Sequence, residues 1–120
     1  MSVRQQKVQK MIKEELSLIF MNKLKDPAFS MVTITDVKVT PDLKLAKIYV
    51  SIYDRVLRDD IFLKILKIKK TIRATLAQKV KLRYVPELDF YVDKTMDYVE
   101  KMDNIFRQIK ENDNEENPDS

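Results

Sequence analysis

The 120-residue chain contains no glycine, and this absence constrains its fold and chemistry more than any motif it carries. A chain of this length would ordinarily hold roughly 8, from a typical usage of ~7%. Loops that cradle phosphate need glycine for tight turns and close backbone approach. A Walker P-loop and a dinucleotide fingerprint are therefore excluded, as is the Gly-x-x-Gly loop by which some domains clamp an RNA backbone. Histidine, cysteine and tryptophan are absent too. That removes the thiol nucleophile, the disulfide, the Ser-His-Asp relay and the usual zinc ligand sets. Absence of cysteine is compatible with the cytosol. The N-terminal MSVRQQKVQKM has no apolar run of the signal-peptide kind. Nowhere do 18 apolar residues run together, so no membrane-spanning helix is expected.

Charge is unevenly distributed. Residues 1–110 carry all 23 lysines and arginines and 14 of the 19 acids, a net of +9. The last ten residues, ENDNEENPDS, hold five acids and no base. This pattern predicts one basic globular domain over residues 1–110 and a disordered acidic tail over 111–120, because the tail has no large apolar residue to bury. A basic body favours a polyanionic partner; lysines that merely face water give the same composition.

Apolar spacing predicts the elements. Val8, Met11, Ile12, Leu16, Ile19 and Phe20 recur at helical intervals, predicting a helix over 3–24 that Lys25-Asp26-Pro27 ends. MVTITDVKVT (31–40) and LAKIYVSI (45–52) are strand-like, and Pro41 suits the turn between them. The alternation in the first strand changes phase, with Val32 and Ile34 on one face and Val37 and Val39 on the other. A bulge near Asp36 or burial on both faces explains the shift. Ile61, Ile65, Ile68, Ile72, Leu76 and Val80 define a long helix from about Asp59, with Asp59 or Asp60 as its cap. ELDFYVD (87–93) reads as a third strand. A last helix begins near Thr95, with Val99, Met102, Ile105, Phe106 and Ile109 on one face. The fold class expected is α+β: a three-stranded sheet with helices on one face, in the order α-β-β-α-β-α.

Nothing here reads as catalytic. Asp59-Asp60 lies where a helix begins and Glu14-Glu15 within a helix. The serines and tyrosines have no histidine to activate them, and no acidic cluster of the metal-loop kind appears. Neither enzyme chemistry, metal, cofactor nor small-molecule substrate is expected.

Two ordered blocks carry a resemblance. Leu24-Lys25-Asp26-Pro27, Val32-Thr33-Ile34-Thr35-Asp36-Val37, Thr40-Pro41-Asp42-Leu43 and Ala46-Lys47-Ile48-Tyr49-Val50-Ser51 form the first. Ile72-Arg73, Leu82-Arg83-Tyr84-Val85-Pro86-Glu87-Leu88-Asp89-Phe90 and Asp93-Lys94-Thr95 form the second. Together, over about residues 3–110, they resemble the ribosome-binding factor A family. The resemblance implies a type II KH-like domain whose long helix is kinked. It also implies a cytoplasmic assembly factor that binds the free 30S subunit and 16S rRNA, near the 5′ region and the decoding end. Such a factor assists late maturation and 16S 5′-end processing, and is linked to growth in the cold. Members are not nucleases themselves. The chain departs from the family where an Ala-x-Gly step usually sits at the kink, since Ile68-Lys69-Lys70 stands there. A straighter helix, or a kink held by packing, is the expectation, with Lys69 and Lys70 meeting phosphate by charge.

The first candidate set for RNA contact is Lys64, Lys67, Lys69, Lys70 and Arg73. A second is Lys79, Lys81 and Arg83, and a third Arg4, Lys7 and Lys10. Arg83 also suits an ion pair with Glu87. Tyr49, Tyr84 and Tyr91 are candidates for base stacking, although packing suits at least two of them. A basic module docking on a protein through its open sheet face is the alternative function. A monomer is expected.

Overall fold

The computed structural model describes residues 2–22 and 24–116. The chain runs through α1 (Val3–Asn22), a short 3-10 helix (Pro27–Met31), β1 (Val32–Val39), β2 (Leu45–Ile52), α2 (Arg58–Lys67), α3 (Lys69–Lys79), β3 (Glu87–Val92) and α4 (Thr95–Glu116). The sheet order is β1-β2-β3, with β1 antiparallel and β3 parallel to β2. The fold is α+β with a mixed three-stranded sheet.

The phase change in β1 is a bulge. The pairing runs from Ile34↔Val50 to Asp36↔Tyr49, so Thr35 has no partner of its own in β2. Its hydroxyl lies within hydrogen-bond reach of the Asp93 carboxylate at 2.8 Å and of the Tyr49 carbonyl of β2 at 3.2 Å. The extra residue restores the phase, and Val32, Ile34, Val37 and Val39 are all buried. They share one core with Ala46, Ile48, Val50 and Ile52 of β2 and Leu88 and Phe90 of β3. Onto this face pack Ile12, Leu16 and Ile19 of α1, Ile61 and Ile65 of α2, and Ile72 and Leu76 of α3. The other face carries Thr33, Lys38, Lys47, Tyr49, Glu87 and Tyr91, each exposed or half-buried.

The long helix is not straight. It breaks at Ile68, whose backbone leaves helical values at φ −103° and ψ 11°. The Ile68 amide reaches both the Lys64 and Ile65 carbonyls at 3.2 Å, and its carbonyl accepts from the Ile72 amide at 2.9 Å. Of the two expectations, the straight helix is wrong. A glycine is unnecessary because the break uses negative φ, in a region open to any L-residue. The half-buried Ile68 side chain packs on the core and holds the joint. Capping also differs from expectation. Leu57 is the N-cap of α2 and makes no side-chain cap bond. The Asp54 carboxylate shapes the preceding turn, accepting from the Val56 and Leu57 amides at 2.9 and 3.2 Å. Asp59 and Asp60 lie in the first turn, where negative charge suits the helix dipole.

The last helix departs from expectation as well. Ile105, Phe106 and Ile109 remain 39%, 62% and 52% exposed, so the apolar stripe of α4 is not laid on the sheet beside α1–α3. The backbone of α4 stays helical to Glu116, past the boundary at 110 where the sequence places a tail, because neither proline nor glycine interrupts residues 95–116. The Val99 side chain and tail residues 117–120 lie outside the described residues. The start of α4 is fixed by Arg58, which grips Asp97 with two nitrogens at 2.6 and 3.0 Å, and by Arg55, 3.3 Å from the same carboxylate.

Candidate nucleic-acid interface

Four separate segments converge at the end of the sheet where the β1–β2 turn lies. The first is the start of α1. Ser2 and Gln5 form a reciprocal cap: the Gln5 backbone amide donates to the Ser2 hydroxyl at 3.1 Å and the Ser2 backbone amide to the Gln5 side-chain Oε1 at 3.0 Å. The Gln5 side chain then donates to the Val39 carbonyl at 3.0 Å, while Gln9 accepts from the Val39 amide at 2.9 Å. These bonds tie α1 to the end of β1 and carry Arg4 to the turn.

The second segment is the turn itself. The Leu43 amide donates to the Thr40 carbonyl at 2.8 Å, closing a turn with Pro41 at its second position. Leu43 has φ 62°, the one positive φ among the described residues. That conformation costs a non-glycine residue ~1–2 kcal/mol. Asp42 holds the turn by accepting from the Thr40 hydroxyl at 2.6 Å and the Lys44 amide at 3.0 Å. Its carboxyl is held below the usual range, first by that hydroxyl and then by that amide.

The third and fourth segments are α3 and the linker from it to β3. The Arg73 guanidinium donates to the Val85 carbonyl at 2.8 Å, clasping the linker to the helix. The Glu87 amide donates to the Lys44 carbonyl at 2.9 Å, which fixes the linker's end beside the turn. Arg83 lies over the Tyr84 ring, 5.6 Å from its centroid. Tyr84 is 75% exposed.

Together they enclose a cleft of about 880 Å³ whose lining carries four cations, Arg4, Lys44, Arg73 and Arg83, and one carboxylate, Asp42. Among the described residues no carboxylate forms an ion pair with any of these four. A shallower groove on the other side of the linker adds Lys70 beside Arg73 and Arg83. One member of each predicted set (Arg4, Arg73 and Arg83) is thus brought to one place. Lys44 is a member the sequence reading missed. Its signal is the parallel register Leu45↔Glu87, which sequence spacing alone does not reveal.

The remaining candidates lie elsewhere. Lys64 and Lys67 sit on α2 near the 3-10 helix, and Lys64 is bound to Asp26 at 2.9 Å. Asp26 also caps the 3-10 helix by accepting from the Ala28 amide at 2.9 Å. Its carboxyl is held below the usual range, chiefly by Lys64. Lys69 is half-buried at the start of α3; Lys7, Lys10, Lys79 and Lys81 are exposed outside the cleft. Arg83 forms no ion pair with Glu87. Tyr49 and Tyr91 stack on each other at 5.5 Å, and Lys38 lies 5.7 Å from the Tyr49 centroid. Of the three tyrosines, Tyr84 alone lines the cleft.

Among the described residues no group of three or more His, Cys, Asp or Glu could hold a metal ion, and no helix is long and apolar enough to cross a membrane. Fold and site define a small α+β module with a net-cationic cleft. Residues 4–106 match the family model for ribosome-binding factor A. The chain is 41% identical over 99 residues to the ribosome-binding factor A of Brevibacillus brevis, covering 82% of each chain. It is 38% identical over 112 residues to that of Staphylococcus carnosus, covering 92% of this chain and 97% of the relative. The crystal structure of ribosome-binding factor A from Thermus thermophilus superposes with a TM-score of 0.68 at 20% identity, over 76% of this chain and 97% of that one. The chain belongs to the ribosome-binding factor A family.

Proposed function

We propose that this protein is a ribosome assembly factor that binds the free 30S subunit through 16S rRNA and assists its late maturation, including 16S 5′-end processing. The observation that carries the proposal is the cleft, where four cations meet a single carboxylate, Asp42, in a chain of the ribosome-binding factor A family. Phosphate supplies the counter-charge that one carboxylate among four cations leaves unmet. The contacts available are charge and shape, which position RNA without reading its sequence. The helix-strand-strand-helix-helix-strand order supports the type II KH-like reading, with Ile68-Lys69-Lys70 at the step where a relative has glycine. We place the protein in the cytoplasm as a monomer, with its role most exposed in the cold.

A second reading has one observation behind it. The open sheet face carries the stacked Tyr49 and Tyr91 with Asp36, Glu87 and Asp89 as well as Lys38 and Lys47. This mixed charge suits a protein more than a polyanion, so docking on a protein partner falls there.

Sedimentation of cell extract through sucrose tests the proposal. Co-migration with free 30S subunits and not with joined ribosomes is the expected result. Migration with neither, at low and moderate salt, overturns it.

A further inference from the structure

The cleft has a feature that phosphate binding alone does not use. Besides its cations and Asp42, its lining includes the apolar side chains of Val8, Leu43, Leu82 and Val85. Its volume, about 880 Å³, falls in the ~300–1,000 Å³ range of small-molecule sites. The Tyr84 ring stands at its edge, 75% exposed, with Arg83 over the ring. An exposed tyrosine beside apolar lining and four cations in excess over one carboxylate is a stacking platform set in a phosphate site.

Deepening the RNA-binding reading, on which this rests, we propose that the cleft takes an unpaired nucleotide of single-stranded RNA. Its base stacks on Tyr84 and its flanking phosphates meet Arg4, Lys44, Arg73 and Arg83. Double-helical RNA fits poorly. Its bases are stacked inside and its major groove is too narrow for side chains, so a duplex meets proteins through sugars and phosphates across broad surfaces. A free inorganic anion would leave the ring and the apolar lining without a role. The turn supports the assignment. Leu43 keeps a strained backbone while its side chain packs half-buried against the core, and the lip of the cleft that carries Lys44 is built on that turn. The break at Ile68 is not part of this cleft, whose lining residue from α3 is Arg73.

Fluorescence anisotropy with the full chain tests the proposal, using a short unstructured single-stranded RNA, an RNA hairpin of equal charge closed by a non-nucleotide linker so that every base is paired, and an acidic peptide of equal charge. Tyr84→Ala should weaken the single strand about tenfold, as loss of one base–aromatic stack does, with little change for the hairpin. Its salt dependence should stay as in the wild type, because no charge is removed. Tyr84→Phe should restore the affinity. Arg4→Ala should instead flatten the salt dependence for both RNAs. Tyr84 is mostly exposed, so both of its variants should fold; unchanged thermal unfolding verifies this. Equal losses for strand and hairpin, or no loss for the strand, overturn the proposal. So does an acidic peptide that binds as tightly with the same dependence on Tyr84. The 30S sedimentation result separates the two readings. A Tyr84→Ala protein that keeps both 30S and single-strand binding removes the nucleotide site alone, whereas wild-type protein that never meets 30S removes the assembly reading.

Discussion

The junction where α2 and α4 begin and the cleft at the opposite end of β2 are both rich in arginine and lysine, yet they treat charge in opposite ways. At the junction every cation that anchors structure has its carboxylate. Arg58 and Arg55 meet Asp97, and nearby Lys64 meets Asp26. In the cleft Arg4, Lys44, Arg73 and Arg83 converge on one carboxylate, Asp42, which the turn already holds and which forms an ion pair with none of them. A matched cation joins elements; an unmatched cluster repels itself and is relieved by an external anion. The difference is why the cleft, and not the densest lysine run in the sequence, is proposed as the site. Density along a helix says nothing of whether each charge is already answered.

The largest effect that sharpens this contrast is on binding. Combining Arg4→Ala, Arg73→Ala and Arg83→Ala removes three phosphate contacts. At a slope of about 0.7 per contact for single strands, affinity near 0.1 M salt should fall on the order of a hundredfold. Direct titration of single-stranded RNA checks this, and undiminished affinity would break the contrast.

A smaller effect falls on stability. Arg58 first, and then Arg55, hold the Asp97 carboxyl below its ordinary range. A carboxylate depressed in the folded state contributes stability that is present above its unfolded value, about 3.9, and is lost as pH falls through the folded value. Asp97→Asn should therefore lower the unfolding midpoint at neutral pH. The gap from wild type should close as pH falls below the carboxylate range, and RNA affinity should not change. Thermal unfolding across pH measures it, and a gap that widens in acid would contradict the assignment. The smallest effect belongs to Lys64→Ala with Lys67→Ala. An exposed ion pair contributes little, and Lys64 is already answered by Asp26, so both unfolding midpoint and RNA affinity should stay close to wild type. A marked affinity loss would move the site to α2.

Much of the fold was legible in the sequence, and particular residues show why. Ala46, Ile48, Val50 and Ile52 alternate strictly, and each is buried in β2. The phase change in β1 pointed to the bulge, which falls at Thr35 beside Asp36. The break at Ile68 was not legible, because apolar spacing from Ile61 to Leu76 runs through it without interruption. The Ser2–Gln5 cap was present as a serine three residues before a glutamine and went unread. The apolar stripe of α4 has helical periodicity whether or not anything covers it, so periodicity alone does not reveal exposure.

The candidate site was half legible. Arg4, Arg73 and Arg83 were candidates for three unrelated reasons, and tertiary structure joins them. Lys44 reaches the same cleft only through the parallel pairing of β2 with β3 across the intervening helices. Lys64 looked as available as Lys70 until its partner Asp26, far away in sequence, was placed beside it.

Central to the account is that unmatched charge in the cleft, and not lysine density on α2, meets RNA. The most direct test is the slope of log affinity against log salt for single-stranded RNA, measured on wild type, on the Arg4/Arg73/Arg83 triple alanine protein and on the Lys64/Lys67 double alanine protein. The account predicts a slope shallower by about 2 in the triple variant and a slope indistinguishable from wild type in the double. A double variant with the shallower slope, beside a triple variant that keeps the wild-type slope, would contradict it.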